Sequence, residues 1–189
     1  MYYQDKRVVK SRQIMVKALI EMLRDKRLQD ITVKELCDKS GVSRSTFYRS
    51  QSTLEELLTN RLKDWYYITF EEIFNDSSFK DDLNLRFSKA CKKEFDFFKV
   101  IYKHNLDGKI MNELQKCVSS ALKDIVKRED SSKLIPYFAS DPYSIYVFIG
   151  ETQMGIRYWI ENEKLTPEEM NQLYENYHIQ TSLFLSNKT

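Results

Sequence analysis

The chain has 189 residues, with 30 Lys+Arg against 28 Asp+Glu, four Gly, three Pro and three Cys. So little Gly and Pro leaves few turns for hairpins or sheets, no apolar run reaches the 18 residues of a membrane span, and MYYQDKRVVK is no signal peptide. Cys37, Cys91 and Cys117 are odd in number and widely spaced, which excludes a disulfide framework and leaves each as a small core residue. The expectation is an all-α, cytoplasmic protein. Net charge is only +2, but residues 1–64 sum to +5 and residues 65–189 to −3. The first part suits a phosphate surface and the second would be repelled by one.

In chain order, the first predicted helix runs from about Ser11 to Lys26, with Ile14, Ala18, Leu19, Met22 and Leu23 on one stripe. Lys6, Arg7, Lys10 and Arg12 then precede or open it, either laid along a nucleic-acid backbone or solvated. Thr32 with Glu35 forms a capping box for a second helix, whose Val33, Leu36 and Cys37 share a face. Gly41 ends that helix, since the following residue commonly needs positive φ. Ser43 caps a two-turn third helix, about Ser43 to Ser50, in which Phe47 points inward. Arg44, Ser45, Thr46, Tyr48 and Arg49 are left for the outside. Arginine can fork onto guanine O6 and N7, and hydroxyls suit phosphates or base edges. Two short helices, a tight turn and a polar second helix form the pattern of a helix-turn-helix DNA reader.

The run TVKELCDKSGVSRSTFYR, followed by STLEELL and preceded by a helix, resembles the tetracycline-repressor (TetR) family of bacterial regulators over about residues 8–68. The resemblance implies a DNA-binding domain at 8–68 and a helical regulatory and dimerisation domain at 69–189. It implies that Thr32 meets phosphate, that Arg44, Ser45 and Thr46 face bases, and that Tyr48 contacts the backbone; Ser43 and Arg49 belong to the same surface. Two positions depart from the family pattern. Gln51 stands where an aromatic plug is usual, and Leu54 where a phosphate-binding Lys is usual. Arg49 or Arg61 would be candidates to replace that charge. These departures raise an alternative: a TetR-like coactivator that works through a protein partner with weak or no DNA binding.

A capping box at Thr53 and Glu56 opens a long helix from Leu54, with Leu57, Leu58, Leu62, Trp65, Thr69 and Ile73 in register. Residues 75–82 (NDSSFKDD) read as a loop, and further helices are predicted at 83–104, 108–128, 141–163 and 167–186. The last two form an αα-hairpin, which closes over its own core or meets a two-fold mate as a four-helix bundle. The dimer is the expected arrangement, through Ile145, Phe148, Ile149, Ile156, Trp159, Leu173, Tyr177, Thr181 and Phe184. Gly150 and Gly155 would permit close approach. The segment FIGETQMGIRYWIENEKLTPEEM also resembles the body of a subset of TetR-type regulators from low-GC Gram-positive bacteria.

Aromatic residues crowd the body, and Phe95, Phe98, Tyr102 and Tyr146 are candidates to line a pocket for a small-molecule effector. Two isolated histidines, with no metal-ligand spacing and no Gly-rich phosphate loop or nucleophile elbow, support neither a metal, a cofactor nor catalysis. The predicted function is a homodimeric repressor of a palindromic DNA operator, released by an unidentified small molecule.

Overall fold

The computed structural model of the protein describes residues 5–75, 83–104 and 142–186. Within them lie eight α-helices and no strand: α1 (Lys6–Met22), α2 (Val33–Ser40), α3 (Arg44–Ser50), α4 (Leu54–Asn75), α5 (Leu83–Lys93), α6 (Phe95–Lys103), α7 (Pro142–Glu161) and α8 (Pro167–Ser186). The loop expected at 75–82, past Asn75, and the helix expected at 108–128 fall outside the described residues.

Helix α1 begins five residues earlier than the apolar stripe suggests. The Asp5 carboxylate accepts from the Arg7 backbone N–H at 2.8 Å, and this cap carries the basic run Lys6–Lys10 into the helix. The buried face is Arg12, Met15, Val16, Ala18, Leu19 and Leu23, whereas Ile14 is exposed, contrary to its place in the predicted stripe. Arg12 is fully buried and ion-paired with Asp64 of α4, so it is unavailable to a phosphate backbone. Its guanidinium spans from α1 to α4, where it meets a carboxylate that is equally withdrawn from water.

Helix α4 matches its predicted register, with Leu57, Leu58, Leu62, Trp65, Thr69 and Ile73 all buried. Its N-terminal end closes the three-helix head made by α1, α2 and α3, and its remaining turns enter the body. The core runs without interruption from Met15 and Phe47 in the head, through Leu58 and Trp65, to Phe98 and Trp159 in the body.

Residues 83–104 form two helices where one was predicted. The chain breaks at Glu94 (φ −108°, ψ 22°), whose carboxylate does not cap α6 but takes the Arg61 guanidinium of α4 at 2.7 Å. Helices α7 and α8 form the expected hairpin, with α8 packed on α5 and α7 on α6. Its loop is held by α5 and α7. The Lys92 ammonium lies 4.3 Å from the Phe95 ring centre and 5.1 Å from that of Trp159. It also donates to the carbonyls of Glu163 and Leu165, and the Trp159 indole N–H donates to Leu165 O at 2.9 Å. No helix of the described residues is long and apolar enough to cross a membrane.

Candidate nucleic-acid interface

The α2–α3 unit is set up by three local devices. Thr32 and Glu35 make the reciprocal box: the Thr32 hydroxyl accepts from Glu35 N–H at 3.2 Å, and Glu35 Oε2 accepts from Thr32 N–H at 2.8 Å. Lys26 adds its ammonium to the same carboxylate at 2.6 Å. That ammonium first, and the Thr32 donors next, pull the Glu35 carboxyl down to about 2. Gly41 closes α2 in the left-handed region, φ 69°, where a Cβ would strain the backbone although no neighbour lies within 4 Å of it. Ser43 then caps α3, its oxygen accepting from Thr46 N–H at 3.2 Å and lying 2.9 Å from the hydroxyls of Ser45 and Thr46.

Helix α3 buries Phe47 completely and presents the rest. Arg44, Ser45, Tyr48 and Arg49 are exposed, Thr46 is half-buried, and Tyr48 is 60% exposed with its ring set edge-on to Phe47 at 5.1 Å. Burial pushes the Cys37 thiol of α2 up, against the opposing pull of Arg44, and burial drives Cys91 up well beyond the usual thiol range. Both therefore behave as packed, protonated thiols.

The two departures at Gln51 and Leu54 leave no hole. Gln51 is buried; its amide oxygen accepts from the Ser50 hydroxyl at 2.6 Å and its amide N–H reaches the Met15 sulfur at 3.9 Å. Leu54 is also buried and joins the core rather than the surface. Arg61, a candidate replacement cation, is buried against Glu94 and over the Phe97 ring, whereas Arg49 stays exposed.

The body differs from expectation at the predicted dimer surface. Ile149, Ile156 and Trp159 are buried within a single chain, Trp159 to 1% exposure, so they are not available to a second copy. The reason is that α7 carries two apolar faces and turns this one onto α6. Its other face exposes Tyr143, Tyr146, Val147, Met154 and Tyr158, with Leu173 and Tyr177 of α8 also exposed. A Cβ at Gly150, in the same stripe, would meet nothing within 4 Å, whereas one at Gly155 would touch Met170 of α8 at 3.6 Å. The side chains of Ile145, Phe148, Thr181 and Phe184 fall outside the described residues.

Three of the four effector candidates, Phe95, Phe98 and Tyr102, share one face of α6, and Tyr146 stands apart from them on α7. Phe95 is packed on Trp159 and Phe98 on Trp65, the Tyr102 hydroxyl donates to Gln153 O at 2.7 Å, and Tyr146 lies on the exposed face of α7. A groove of about 780 Å³ instead lies between the head and the end of α6, lined by Arg27, Leu28, Ile31, Leu54, Lys103 and His104 among others. Arg157 pairs with Glu161 at 3.5 Å, and His178 faces Glu151 at 3.7 Å. No group of three or more His, Cys, Asp or Glu among the described residues is placed to hold a metal ion.

A crystal structure from Syntrophomonas wolfei str. Goettingen superimposes with a TM-score of 0.56, covering 92% of this chain and 95% of that chain at 16% identity. That protein's name assigns it to the TetR-family transcriptional regulators. The fold is TetR-like. No protein-family model and no curated protein matches the chain. A likeness at this identity speaks for architecture: a three-helix head, a long α4 and a helical body. Sequence reasoning missed the tie Arg12–Asp64 within the head and the tie Arg61–Glu94 from α4 to the body. Their members lie 52 and 33 residues apart, and no local pattern joins them.

Proposed function

We propose that the chain is a DNA-binding transcriptional regulator: a homodimeric repressor of a palindromic operator, released by a small-molecule effector. One observation carries the reading. The α2–Gly41–α3 unit buries Phe47 and leaves Arg44, Ser45, Tyr48 and Arg49 on an exposed short helix capped by Ser43. Such a helix fits a major groove, where Arg44 would fork onto a guanine and Ser45 or Thr46 would reach a base edge. Thr32, Ser43 and Tyr48 would meet phosphates, two of them from helix N-terminal positions where the backbone dipole favours an anion.

Two-fold pairing is proposed through the exposed stripe of α7 with Leu173 and Tyr177 of α8. The concentration of exposed large apolar side chains on this hairpin favours an interface over a solvated face. Pairing would set two α3 helices at half-site spacing, about 34 Å apart or a multiple of it. Release would follow from α4, which is tied to α1 by Asp64 and to the α5–α6 junction by Arg61. A ligand that favours one body arrangement would tilt both heads, a population shift between two dimer geometries. We also assign the body, on residues 148–170, to the kind carried by regulators of low-GC Gram-positive bacteria.

Selection from a random-sequence duplex pool with the purified protein tests the proposal. Enrichment of one palindromic motif is the expected result. A folded, dimeric protein that enriches no motif would overturn it and favour a coactivator working through a protein partner.

A further inference from the structure

Two populations stand out among the cations of the head. One is neutralised internally: Arg12 by Asp64, Lys26 by Glu35, Arg27 by Asp30, Lys39 by Glu21 and Arg61 by Glu94. The other has no ion pair among the described residues, and part of it sits on α3 as Arg44 and Arg49. The remainder includes Lys6, Arg7, Lys10 and Lys17 on α1, all exposed. Lys6, Lys10 and Lys17 are four and seven residues apart, which places them in one row along the helix, separated by about 6 and about 10 Å at 1.5 Å per residue. Arg7 flanks the row.

The start of this row, Lys6 with Arg7 beside it, opposes the local electrostatics of its own helix. Cations at a helix N-terminus are disfavoured by the backbone dipole, and the first turn of α1 contains no acidic residue. Asp5, the N-cap, offsets the conflict only in part, its carboxylate being engaged with the Arg7 N–H. Violations of a local rule without internal compensation belong at sites where an outside partner compensates. That partner must be anionic and extended. A membrane surface would require bulky apolar residues interleaved with the cations, and Ile14 is the single large apolar side chain exposed on α1. The opposite face of α1 packs Met15 against Gln51, the residue that ends α3, so row and reading helix are joined in the same packed head.

We infer that Lys6, Arg7, Lys10 and Lys17 form a second, sequence-independent nucleic-acid site that binds the phosphate backbone of duplex DNA flanking the half-site read by α3. The inference rests on the DNA-binding reading above. The row supplies affinity and salt dependence, and α3 supplies discrimination.

The test compares the wild-type chain with a variant carrying Lys6→Gln, Arg7→Gln, Lys10→Gln and Lys17→Gln, which keeps helix-forming side chains and the Asp5 cap. Circular dichroism establishes that the variant folds. Affinity for the motif selected from random duplexes is measured between about 50 and 200 mM salt, in a long duplex and in one trimmed to the motif. On the long duplex, the variant should lose about 0.9 from the slope of log affinity against log salt for each phosphate contact removed. It should select the same motif, and trimming the duplex should erase its difference from wild type. An unchanged slope with intact motif selection would overturn this inference alone. Wild-type protein that binds no duplex DNA would overturn the functional reading and this inference with it. Retention of the wild type but not the variant by anionic phosphatidylglycerol vesicles, with the DNA slope unchanged, would assign the row to a membrane surface and overturn it too.

Discussion

Helix α3 and the α7–α8 hairpin both expose a set of large side chains among the described residues, and the chemistry of the two sets differs. On α3 the exposed side chains are Arg44, Ser45, Tyr48 and Arg49; on the hairpin the exposed large apolar ones are Tyr143, Tyr146, Val147, Met154, Tyr158, Leu173 and Tyr177, with the Arg157–Glu161 ion pair exposed among them. Water can satisfy the first face, so its exposure alone argues for nothing, and the case for a partner comes from the caps, the shortness of α3 and the turn at Gly41. Water cannot satisfy the second, since apolar area left in solvent forgoes about 25 cal/mol per Å². The polar face is therefore read through its geometry and the apolar one through its energetics.

The largest effect is expected where the hairpin's two faces are set against each other. Trp159→Ala should cost about 3–5 kcal/mol of stability, the range for truncating a buried Trp, because it opens a cavity beside Phe95 and removes a ring from under Lys92. Tyr146→Asp with Met154→Asp touches the other face of the same helix. That pair should convert a dimer to a monomer in analytical ultracentrifugation with the protomer's helical signal intact. A double variant that still sediments as a dimer would remove the apolar stripe from the interface.

A smaller effect is expected on α3. Arg44→Ala should cost about 1–3 kcal/mol of base discrimination, the value of a bidentate arginine–guanine contact, and leave urea unfolding unchanged because the side chain is exposed. Competition between the selected motif and single-base variants measures this. Equal discrimination by mutant and wild type would mean that another element reads the bases.

The same contrast explains what the sequence could disclose. Helices α2 and α3, their caps and the register of α4 were legible because their determinants are local: Thr32 to Glu35, Gly41, Ser43 to Thr46, and apolar residues three and four apart. The orientation of α7 was not. Ile149, Ile156 and Trp159 on one side and Tyr146, Met154 and Tyr158 on the other are both apolar at helical spacing, and only the packing of α6 decides which is inner. Arg12 was read as a surface cation because its counter-charge, Asp64, is distant in sequence. The break at Glu94 was hidden for a similar reason, since the carboxylate that would have capped α6 is taken by Arg61. The effector residues Phe95 and Phe98 were chosen by composition, and aromatic composition does not separate a cavity wall from plain core.

The smallest effect concerns the capping box, which joins the polar face to the acid stability of the head. Thr32→Ala removes the acceptor for Glu35 N–H and should cost about 1 kcal/mol, typical of an N-cap loss. Glu35 makes the pH dependence specific. Its carboxyl lies at about 2, below its usual 4.5, because of Lys26 first and the Thr32 donors next. A carboxyl depressed in the folded state stabilises fully above its unfolded value and loses that contribution as pH falls through its folded value. The share due to Glu35 is thus present at neutral pH and disappears between about pH 4.5 and 2. Urea midpoints for wild type and Glu35→Gln should differ at pH 7 and converge toward pH 2. A gap that persists at the acid end would mean that Glu35 holds α2 by packing rather than by charge.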